Sequence, residues 1–250
     1  MSLANELAVV TGSSRGLGLA IAAALRAEGA HVVINYVQSQ AAAEAAAKSL
    51  DAIAIRADVK EPAQVQALFD SAREHYGRSV SIVVNNAVEY KFNGDRRSKL
   101  QDISYDEFGS QFRTTIEGAL NTTKAAISGF KQLGHGRIIN IGTNLVQNPV
   151  VPYHDYTAAK GALLALTHTT AAELGPMNVT CNLVAGGLLR TTDASAATPE
   201  AVFEQIAAIT PLRKVTSPEE LAGAVVFFAG PLSRAVTGQQ IVVDGGLCMT

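Results

Sequence analysis

Short apolar runs rich in β-branched residues alternate along the chain with longer segments whose apolar residues recur every three or four positions. The short runs predict strands and the periodic segments predict helices. The predicted strands are residues 7–10, 31–36, 52–57, 81–84, 137–142, 178–184 and 240–243. The predicted helices are residues 16–28, 40–50, 62–76, 105–131, 156–174 and 218–229.

The alternation of strands and helices predicts an α/β fold, a doubly wound parallel sheet of about seven strands in a single domain spanning residues 1–250. The strands are nearly continuous apolar runs, as expected where helices cover both faces of a sheet. Residues 188–215 are less regular and contain only a short helical pattern at 199–209, followed by Pro211. An irregular stretch of this length inside a compact domain is typical of a lid over a binding site.

Composition narrows the classes of function. Apolar residues make up 48% of the chain and its net charge is −2, which gives material for a core and argues against binding to nucleic acid or to an anionic membrane surface. No apolar run approaches the roughly 18 residues of a membrane span. Cys181 and Cys248 lie far apart, so we expect a reducing, cytoplasmic location and no disulfide framework. The five histidines have no metal-ligand spacing, so we expect no metal site.

A glycine-rich turn directly follows the first predicted strand. It reads Thr11-Gly12-Ser13-Ser14-Arg15-Gly16-Leu17-Gly18 and leads into a helix. Glycines let backbone approach a pyrophosphate closely, and the helix N-terminus offers free N–H groups and a positive dipole end. Because this turn occupies the first βα connection, it predicts a Rossmann-type dinucleotide site formed by Gly12, Ser14, Gly16, Leu17 and Gly18.

The end of the second strand indicates which dinucleotide binds. Sites that prefer NAD usually have a carboxylate there, on the ribose 2′-hydroxyl. This strand instead ends in Ile34-Asn35-Tyr36, without an acid. The guanidinium of Arg15, in the glycine turn, could bind a 2′-phosphate, the alternative being a solvated loop charge. We therefore predict NADP(H), with Arg15 and Asn35 near the adenosine ribose.

Tyr156 and Lys160 stand four residues apart on one predicted helix and so share a face. A phenol with a pKa near 10 is a poor base at neutral pH, and a nearby ammonium lowers that pKa. The pair can then act as an acid and base toward a carbonyl or alcohol oxygen. Such helix pairs are often only surface contacts, but the upstream glycine turn favours catalysis.

These motifs together resemble the short-chain dehydrogenase/reductase family, and the resemblance covers essentially the whole chain. Its other elements are Asp58-Val59 after the third strand, Asn85-Asn86-Ala87 after the fourth, and Val243-Asp244-Gly245-Gly246 near the end. Among members, the 3-oxoacyl-[acyl-carrier-protein] reductases are the most similar. The resemblance implies cofactor contacts from Asp58, Val59, Asn86, Ala87, Tyr156, Lys160, Gly187, Leu189 and Thr191.

The sequence departs from the family pattern near the predicted catalytic pair. The family serine thirteen residues before the tyrosine is Thr143, and the helix asparagine that connects the lysine to water is Thr115. Val88 replaces the last glycine of the Asn-Asn-Ala-Gly motif, and Gly186 replaces a proline, which should loosen the start of the lid. We predict that Thr143 binds the substrate oxygen and that Thr115 joins the catalytic set. The departures fit either a reshaped pocket or a slow enzyme.

The resemblance implies an NADP(H)-dependent oxidoreductase that reduces a carbonyl to an alcohol. A 3-oxoacyl thioester is the best candidate substrate. The alternatives are another small ketone, sugar or alcohol, or a low-activity NADP-binding regulatory relative. Docking of an acyl carrier protein is weakly supported, because Gly134 and Met177 stand where the carrier-protein reductases tend to have arginines.

Residues 89–103 and 188–215 should border the substrate, with Val150, Val151, Tyr153 and His154 at the entrance or simply packed as a loop. The charges at Glu89, Lys91, Asp95, Arg96, Arg97 and Lys99 favour a solvated loop over a recognition patch. Family members pair the helices corresponding to 105–131 and 156–174 across a four-helix dimer interface. We therefore expect a homo-oligomer, a dimer or tetramer, with twofold contacts.

Overall fold

Seven strands form one parallel sheet in a computed structural model that describes residues 2–89, 98–190, 192 and 195–249. The order across the sheet is β3-β2-β1-β4-β5-β6-β7, and every neighbouring pair is parallel. The strands are β1 Leu7–Val10, β2 His31–Tyr36, β3 Ile53–Arg56, β4 Ile82–Asn85, β5 Gly136–Thr143, β6 Val179–Gly186 and β7 Gln240–Val243. The predicted fold class is confirmed.

The helices cover both faces of this sheet. They are α1 Gly16–Ala27, α2 Gln40–Ser49, α3 Pro62–Tyr76, α4 Tyr105–Phe112, α5 Gly118–Leu133, α6 His154–Leu174, α7 Glu200–Ile209 and α8 Pro218–Ala229. Helices α1, α2 and α8 pack on one face, and α3, α5 and α6 pack on the other. Each face of the sheet has its own hydrophobic core, and alternate residues of β1 pack into the two cores. Ala8 and Val10 belong to the first core, and Leu7 and Val9 belong to the second. This is the period of two that a strand covered on both faces requires.

The predicted helix 105–131 is interrupted. A capping box between Ser104 and Glu107 starts α4, but a π-helical turn, Arg113–Glu117, separates α4 from α5. The turn contains Thr114 and Thr115, which are both buried. Single π-helical turns inside longer helices are frequent at functional sites. Propensity alone does not reveal such a turn, because its residues have helical backbone angles.

Strands β4, β5 and β6 run one or two residues further than predicted and end at Asn85, Thr143 and Gly186. Parallel strands end at the same edge of a sheet, so these residues border the crevice beyond it, where α/β proteins bind ligands. Gly186, which was expected to loosen the start of the lid, is the last residue of β6 and pairs in register with Thr143. A Cβ there would lie 2.6 Å from Leu221 Cδ1, so the glycine lets the strand end pack closely against α8.

Candidate active site

The glycine turn after β1 has the shape of an anion cradle. Gly12 and Gly16 have φ angles of +62° and +56°, in the left-handed region that glycine adopts without strain. A Cβ on Gly18 would lie 2.5 Å from the carbonyl oxygen of Gly12 and 2.6 Å from Asn86 Nδ2. Any side chain there would force the turn away from α1. The turn therefore fits a pyrophosphate lying close to backbone at the start of that helix.

The loop after β4 is hydrogen-bonded to this turn. The hydroxyl oxygen of Thr11 accepts from the backbone N–H groups of Asn86 and Ala87, over 2.9 and 3.0 Å. In return, Asn86 Nδ2 donates to the carbonyl oxygens of Thr11 and Gly12. The fold thus places the two segments that the resemblance assigned to cofactor binding side by side.

Asn35 lies beneath the turn, and its expected place at the adenosine ribose needs correction. Its side chain is buried, with Oδ1 accepting from the backbone N–H of Gly12 at 3.1 Å. Its Nδ2 donates to the carbonyl oxygens of Ala57, at 3.0 Å, and Ile55. Both amide hydrogens are used within the protein, so Asn35 supports the turn rather than facing the crevice. Sequence position alone could not distinguish these two roles.

The remaining predicted residues of the turn lead into α1. Arg15 is the exposed N-cap residue of this helix, Ser14 is partly buried, and Leu17 packs against the core. Asp58 is partly exposed and Val59 is buried, both in the loop after β3.

The segment after β6, which was predicted to be part of a lid, comes close to the same turn. Thr191 lies outside the described residues, but its neighbour Thr192 has its Cβ 3.7 Å from where a Cβ on Gly16 would be. Gly187 is tightly packed, because a Cβ there would lie 3.0 Å from Asn144 Nδ2. Leu189 packs against the core beside it. Thr192 therefore lies beside the glycine turn, and motif comparison did not identify it.

Thr143, Tyr156 and Lys160 come together beyond the end of β5. The Tyr156 phenol is hydrogen-bonded to the Thr143 hydroxyl. Lys160 is buried, its Nζ donates to the carbonyl oxygen of Ile141 at 2.7 Å, and it lies 5.7 Å from the centroid of the Tyr156 ring. The strand end and one helix face thus bring together the three side chains predicted from sequence.

Burial governs the titration of this pair. It raises the pKa of Tyr156 to about 12, against a smaller lowering by the hydrogen bond with Thr143. Burial also lowers the pKa of Lys160 to about 8. The pKa of Tyr156 therefore lies above its ordinary value and not below it as expected, because desolvation is the largest influence on it. The phenol carries its proton at neutral pH and can donate it to an oxygen that develops negative charge.

A small polar cavity lies behind the pair. It has room for about one water molecule and is lined by Thr11, Asn85, Ala87, Thr115, Lys160 and neighbouring residues. The Thr115 hydroxyl is buried and has no hydrogen-bond partner within the protein. A buried hydroxyl normally finds a partner, so a water molecule bonded to Thr115 fits this cavity. The π-helical turn is the element that directs Thr115 into it.

A second polar cluster at the crevice was missed from sequence. Lys60 Nζ lies 2.7 Å from Glu89 Oε2 and 3.6 Å from Asp58 Oδ2, and the Thr114 hydroxyl donates to Glu89 at 3.3 Å. Glu89 was expected to belong to a solvated loop, and its side chain is exposed as expected, although it forms this ion pair. Residues 91 and 95–97 of the same charged run lie outside the described residues. The sequence did contain a signal for this cluster, because Lys60 directly follows Asp58 and Val59, two predicted cofactor contacts.

Buried Asp244 ties the loop after β5 to the C-terminal turn. Its Oδ2 accepts from Asn144 Nδ2 and from the backbone N–H of Cys248, both at 3.0 Å. Asn144 follows Thr143, so this contact fixes the backbone next to a predicted catalytic residue. The neighbouring Gly245 carbonyl accepts from the Leu212 N–H at the end of the lid.

No helix within residues 2–89, 98–190, 192 and 195–249 combines the length and apolarity needed to cross a membrane. No three histidine, cysteine or carboxylate side chains there could hold a metal ion together.

The parallel sheet, the glycine turn and the Thr143, Tyr156 and Lys160 arrangement define a nucleotide-binding oxidoreductase of the Rossmann type. A family model described as enoyl-(acyl carrier protein) reductase matches residues 12–248. The chain belongs to the short-chain dehydrogenase/reductase family, as its motifs indicated.

Its relatives cover the full length of the chain but differ in activity. A 3-oxoacyl-[acyl-carrier-protein] reductase of a Synechocystis species is 34% identical, with 99% of both chains aligned. The NADPH-dependent aldehyde reductase 2 of Arabidopsis thaliana chloroplasts is 33% identical, over 98% of this chain and 95% of its own. A solved gluconate 5-dehydrogenase of Burkholderia cenocepacia, in complex with NADP and tartrate, has a TM-score of 0.85 at 33% identity, over 98% and 96% of the two chains.

Proposed function

We propose that this protein is an NADP(H)-dependent carbonyl reductase. The observation that carries the proposal is a protonated phenol, Tyr156, hydrogen-bonded to Thr143 and beside buried Lys160, in the same crevice as the glycine turn. NADP(H) is preferred over NAD(H) because β2 ends without a carboxylate while Arg15 is exposed at the start of α1. The relatives named above with NADPH or NADP support this choice.

Each catalytic residue has a distinct role. A bound reduced nicotinamide supplies the hydride that reduces the carbonyl carbon. Tyr156 donates its proton to the carbonyl oxygen as negative charge develops there, and the Thr143 hydroxyl holds that oxygen by a hydrogen bond. The Lys160 ammonium then favours the resulting phenolate electrostatically.

Thr115 helps to return a proton to Tyr156, because its hydroxyl holds a water molecule next to Lys160. Its hydroxyl is unpartnered and the cavity it lines also contains Lys160, so a water there can bond to both groups. A threonine hydroxyl, like the asparagine amide of other family members, can both donate and accept. The substitution of this asparagine by Thr115 is therefore compatible with turnover.

The substrate is a small or medium carbonyl compound, and a 3-oxoacyl thioester remains the first candidate. Similarity to the Synechocystis reductase supports that candidate. Similarity to the aldehyde reductase and to the gluconate dehydrogenase supports other carbonyl compounds and sugars. Presentation on an acyl carrier protein has weaker support, because Gly134 and Met177 provide no positive charge for an acidic partner. The irregular segment 188–215 acts as the lid of this single catalytic domain.

The protein acts as a homo-oligomer, a dimer or tetramer, in the cytoplasm. Helix α6 exposes small residues at Ala158, Ala165 and Thr169, and the α4 and α5 helices expose Phe112 and Leu120. Small side chains allow two helices to approach closely, and exposed apolar ones favour a covered surface. The free thiols of Cys181 and Cys248 are consistent with a reducing compartment. The mass in solution tests the assembly: a monomer would contradict it.

A substrate panel tests the activity. Purified protein is mixed with NADPH or NADH and with 3-oxoacyl thioesters, ketones, quinones and sugars, while the absorbance of the reduced nicotinamide is followed. We expect oxidation of NADPH with at least one carbonyl class and a much higher KM for NADH. Binding of NADPH without oxidation by any compound would favour the regulatory alternative, and a clear preference for NADH would overturn the cofactor assignment.

A further inference from the structure

Lys60 and Glu89 join two loops that follow strands far apart in the sheet. Lys60 follows β3 and Glu89 follows β4, and β2 and β1 lie between these strands. Three strand spacings amount to roughly 14 Å. Their side chains nevertheless meet, with Lys60 Nζ 2.7 Å from Glu89 Oε2. The loop after β3 must therefore bend toward the loop after β4, and the ion pair holds the two together.

Both partners of this ion pair are fixed by further contacts. Lys60 Nζ lies 3.6 Å from Asp58 Oδ2, and the Lys60 backbone N–H donates to Asp58 Oδ1 at 3.0 Å. Glu89 Oε2 accepts from the Thr114 hydroxyl, and its backbone carbonyl accepts from Gln111 Nε2 at 2.8 Å. Exposed ion pairs usually contribute little on their own, and the Glu89 side chain is 62% exposed. These five residues nevertheless form one network that holds the two loops together.

Helix α5 supports the same two loops. Asn121 Nδ2 donates to the carbonyl oxygen of Val59 at 2.9 Å, and a Cβ on Gly118 would lie 2.8 Å from Val59 Cγ2. Val59 is thus pressed against α5 while Thr114, one turn earlier, holds Glu89. The π-helical turn Arg113–Glu117 therefore carries one hydroxyl, on Thr114, toward the ion pair and another, on Thr115, toward the catalytic cavity.

We propose that Lys60 and Glu89 are positioning residues for the adenosine end of NADP(H). Their ion pair sets the width of the slot between Asp58-Val59 and Asn86-Ala87. This inference rests on the proposed function and on the cofactor contacts that the family resemblance implies for those four residues. Neither Lys60 nor Glu89 needs to touch the ligand, because each acts through the loop it holds.

The charges of the pair agree with this role. The hydrogen bond with Glu89 raises the pKa of Lys60, and the same contact lowers the pKa of Glu89. Both groups are therefore ionised across the neutral range. Arg113, on the π-helical turn, also lowers the Glu89 pKa and stabilises its charge.

The test measures binding of adenosine 2′,5′-bisphosphate, a probe that contains only the adenosine end, by isothermal titration calorimetry. Glu89→Gln and Lys60→Met each remove one charge, and the double variant Lys60→Met with Glu89→Gln removes both. Asp70→Asn is the matched control, because it removes an exposed ion pair with Arg73 elsewhere on the surface. Unfolding midpoints are measured for every variant.

We expect each single variant to weaken probe and NADPH binding about fivefold, the equivalent of about 1 kcal/mol, with kcat at saturating NADPH unchanged. The double variant should lose no more affinity than a single variant, because either change alone already breaks the ion pair, and Asp70→Asn should bind like the wild type. Unchanged probe affinity in both single variants overturns the inference, and so do losses that simply add in the double variant. If the wild type binds neither the probe nor NADPH, the proposed function fails as well.

Discussion

The side chains of Asn85 and Asn140 are joined across β4 and β5 by a buried hydrogen bond of 2.8 Å. Asn85 Oδ1 also accepts from the Thr122 hydroxyl on α5, and Asn140 Nδ2 donates to the Thr167 hydroxyl on α6. This chain of bonds links the helix below the π-helical turn to the helix that carries the catalytic pair. Thr122 lies seven residues after Thr115, and Thr167 seven after Lys160, which is about two helical turns in each case. The network therefore fixes both helices in register on the sheet.

Replacing Asn140 by leucine should destabilise the protein by about 2–3 kcal/mol, because it leaves the buried Nδ2 of Asn85 without its acceptor and removes the donor to the Thr167 hydroxyl. Urea unfolding measures this loss. Gln66→Leu, on the exposed side of α3, is the control and should change stability little. A loss for Asn140→Leu as small as that of the control would show that the network is not needed for folding.

Substitution of Tyr156 by phenylalanine should lower kcat by about 10²- to 10⁴-fold, since it removes the proton donor and leaves the ring in place. Thr143→Ala should also lower kcat, because the hydroxyl that binds the substrate oxygen is lost. Thr143→Ser keeps the hydroxyl and serves as the matched control. Steady-state kinetics with a substrate found in the panel provide the measurement. Wild-type turnover by Tyr156→Phe would exclude the acid role.

Buried Lys160 makes stability depend on pH in a defined direction. Its pKa is about 8 in the folded protein and 10.5 ordinarily, so the unfolded chain binds more protons between these values. Stability contributed by this group therefore rises with pH across that window. Methionine does not titrate, so the variant Lys160→Met lacks this pH-dependent contribution to stability. The unfolding free energy of the wild type relative to this variant should rise by about 2–3 kcal/mol between pH 7 and 10.

Urea titrations of the two proteins at several pH values provide the data. Other titrating groups are common to both and cancel in the difference, and the Tyr156 pKa of about 12 lies above the range. A difference that stays constant with pH would mean that Lys160 is solvated in the folded protein.

Local patterns were enough to predict the sheet, because strands covered on both faces must be apolar throughout. Motif spacing likewise predicted the meeting of Thr143, Tyr156 and Lys160, since a strand end and one face of a helix bring them together. Interactions that depend on three-dimensional packing were not predictable. Asn35 was expected at the cofactor, and only the fold shows that its amide is used beneath Gly12.

The pKa of Tyr156 illustrates the same limit. The sequence shows the neighbouring lysine but not the depth of burial, and burial proved to be the larger influence. The ion pair of Glu89 with Lys60 was not predicted, because the two residues are 29 positions apart in the chain. Long-range contacts of this kind arise from topology and leave no periodic signal.

Arg190 and Glu200 are paired within residues 188–215, the segment proposed as a lid. Arg190 Nη2 donates to both carboxylate oxygens of Glu200, at 2.5 and 2.6 Å, and the guanidinium lies 5.0 Å from the Phe203 ring on α7. Glu200→Gln weakens this ion pair and should loosen the segment after β6, in which Thr192 lies beside the glycine turn. Because the pair is largely exposed, stability should change by less than about 1 kcal/mol. The dissociation rate of NADPH should instead rise several-fold.

Stopped-flow displacement of NADPH measures that rate, and the unfolding midpoint is measured in parallel. Glu204→Gln lies one turn further along α7 and removes a carboxylate without disturbing Arg190, so it is the matched control. Faster release confined to Glu200→Gln would show that the ion pair retains the cofactor by holding the lid closed. Equal rates in the two variants and the wild type would mean that residues 188–215 do not limit cofactor release, and the lid assignment would have to be abandoned.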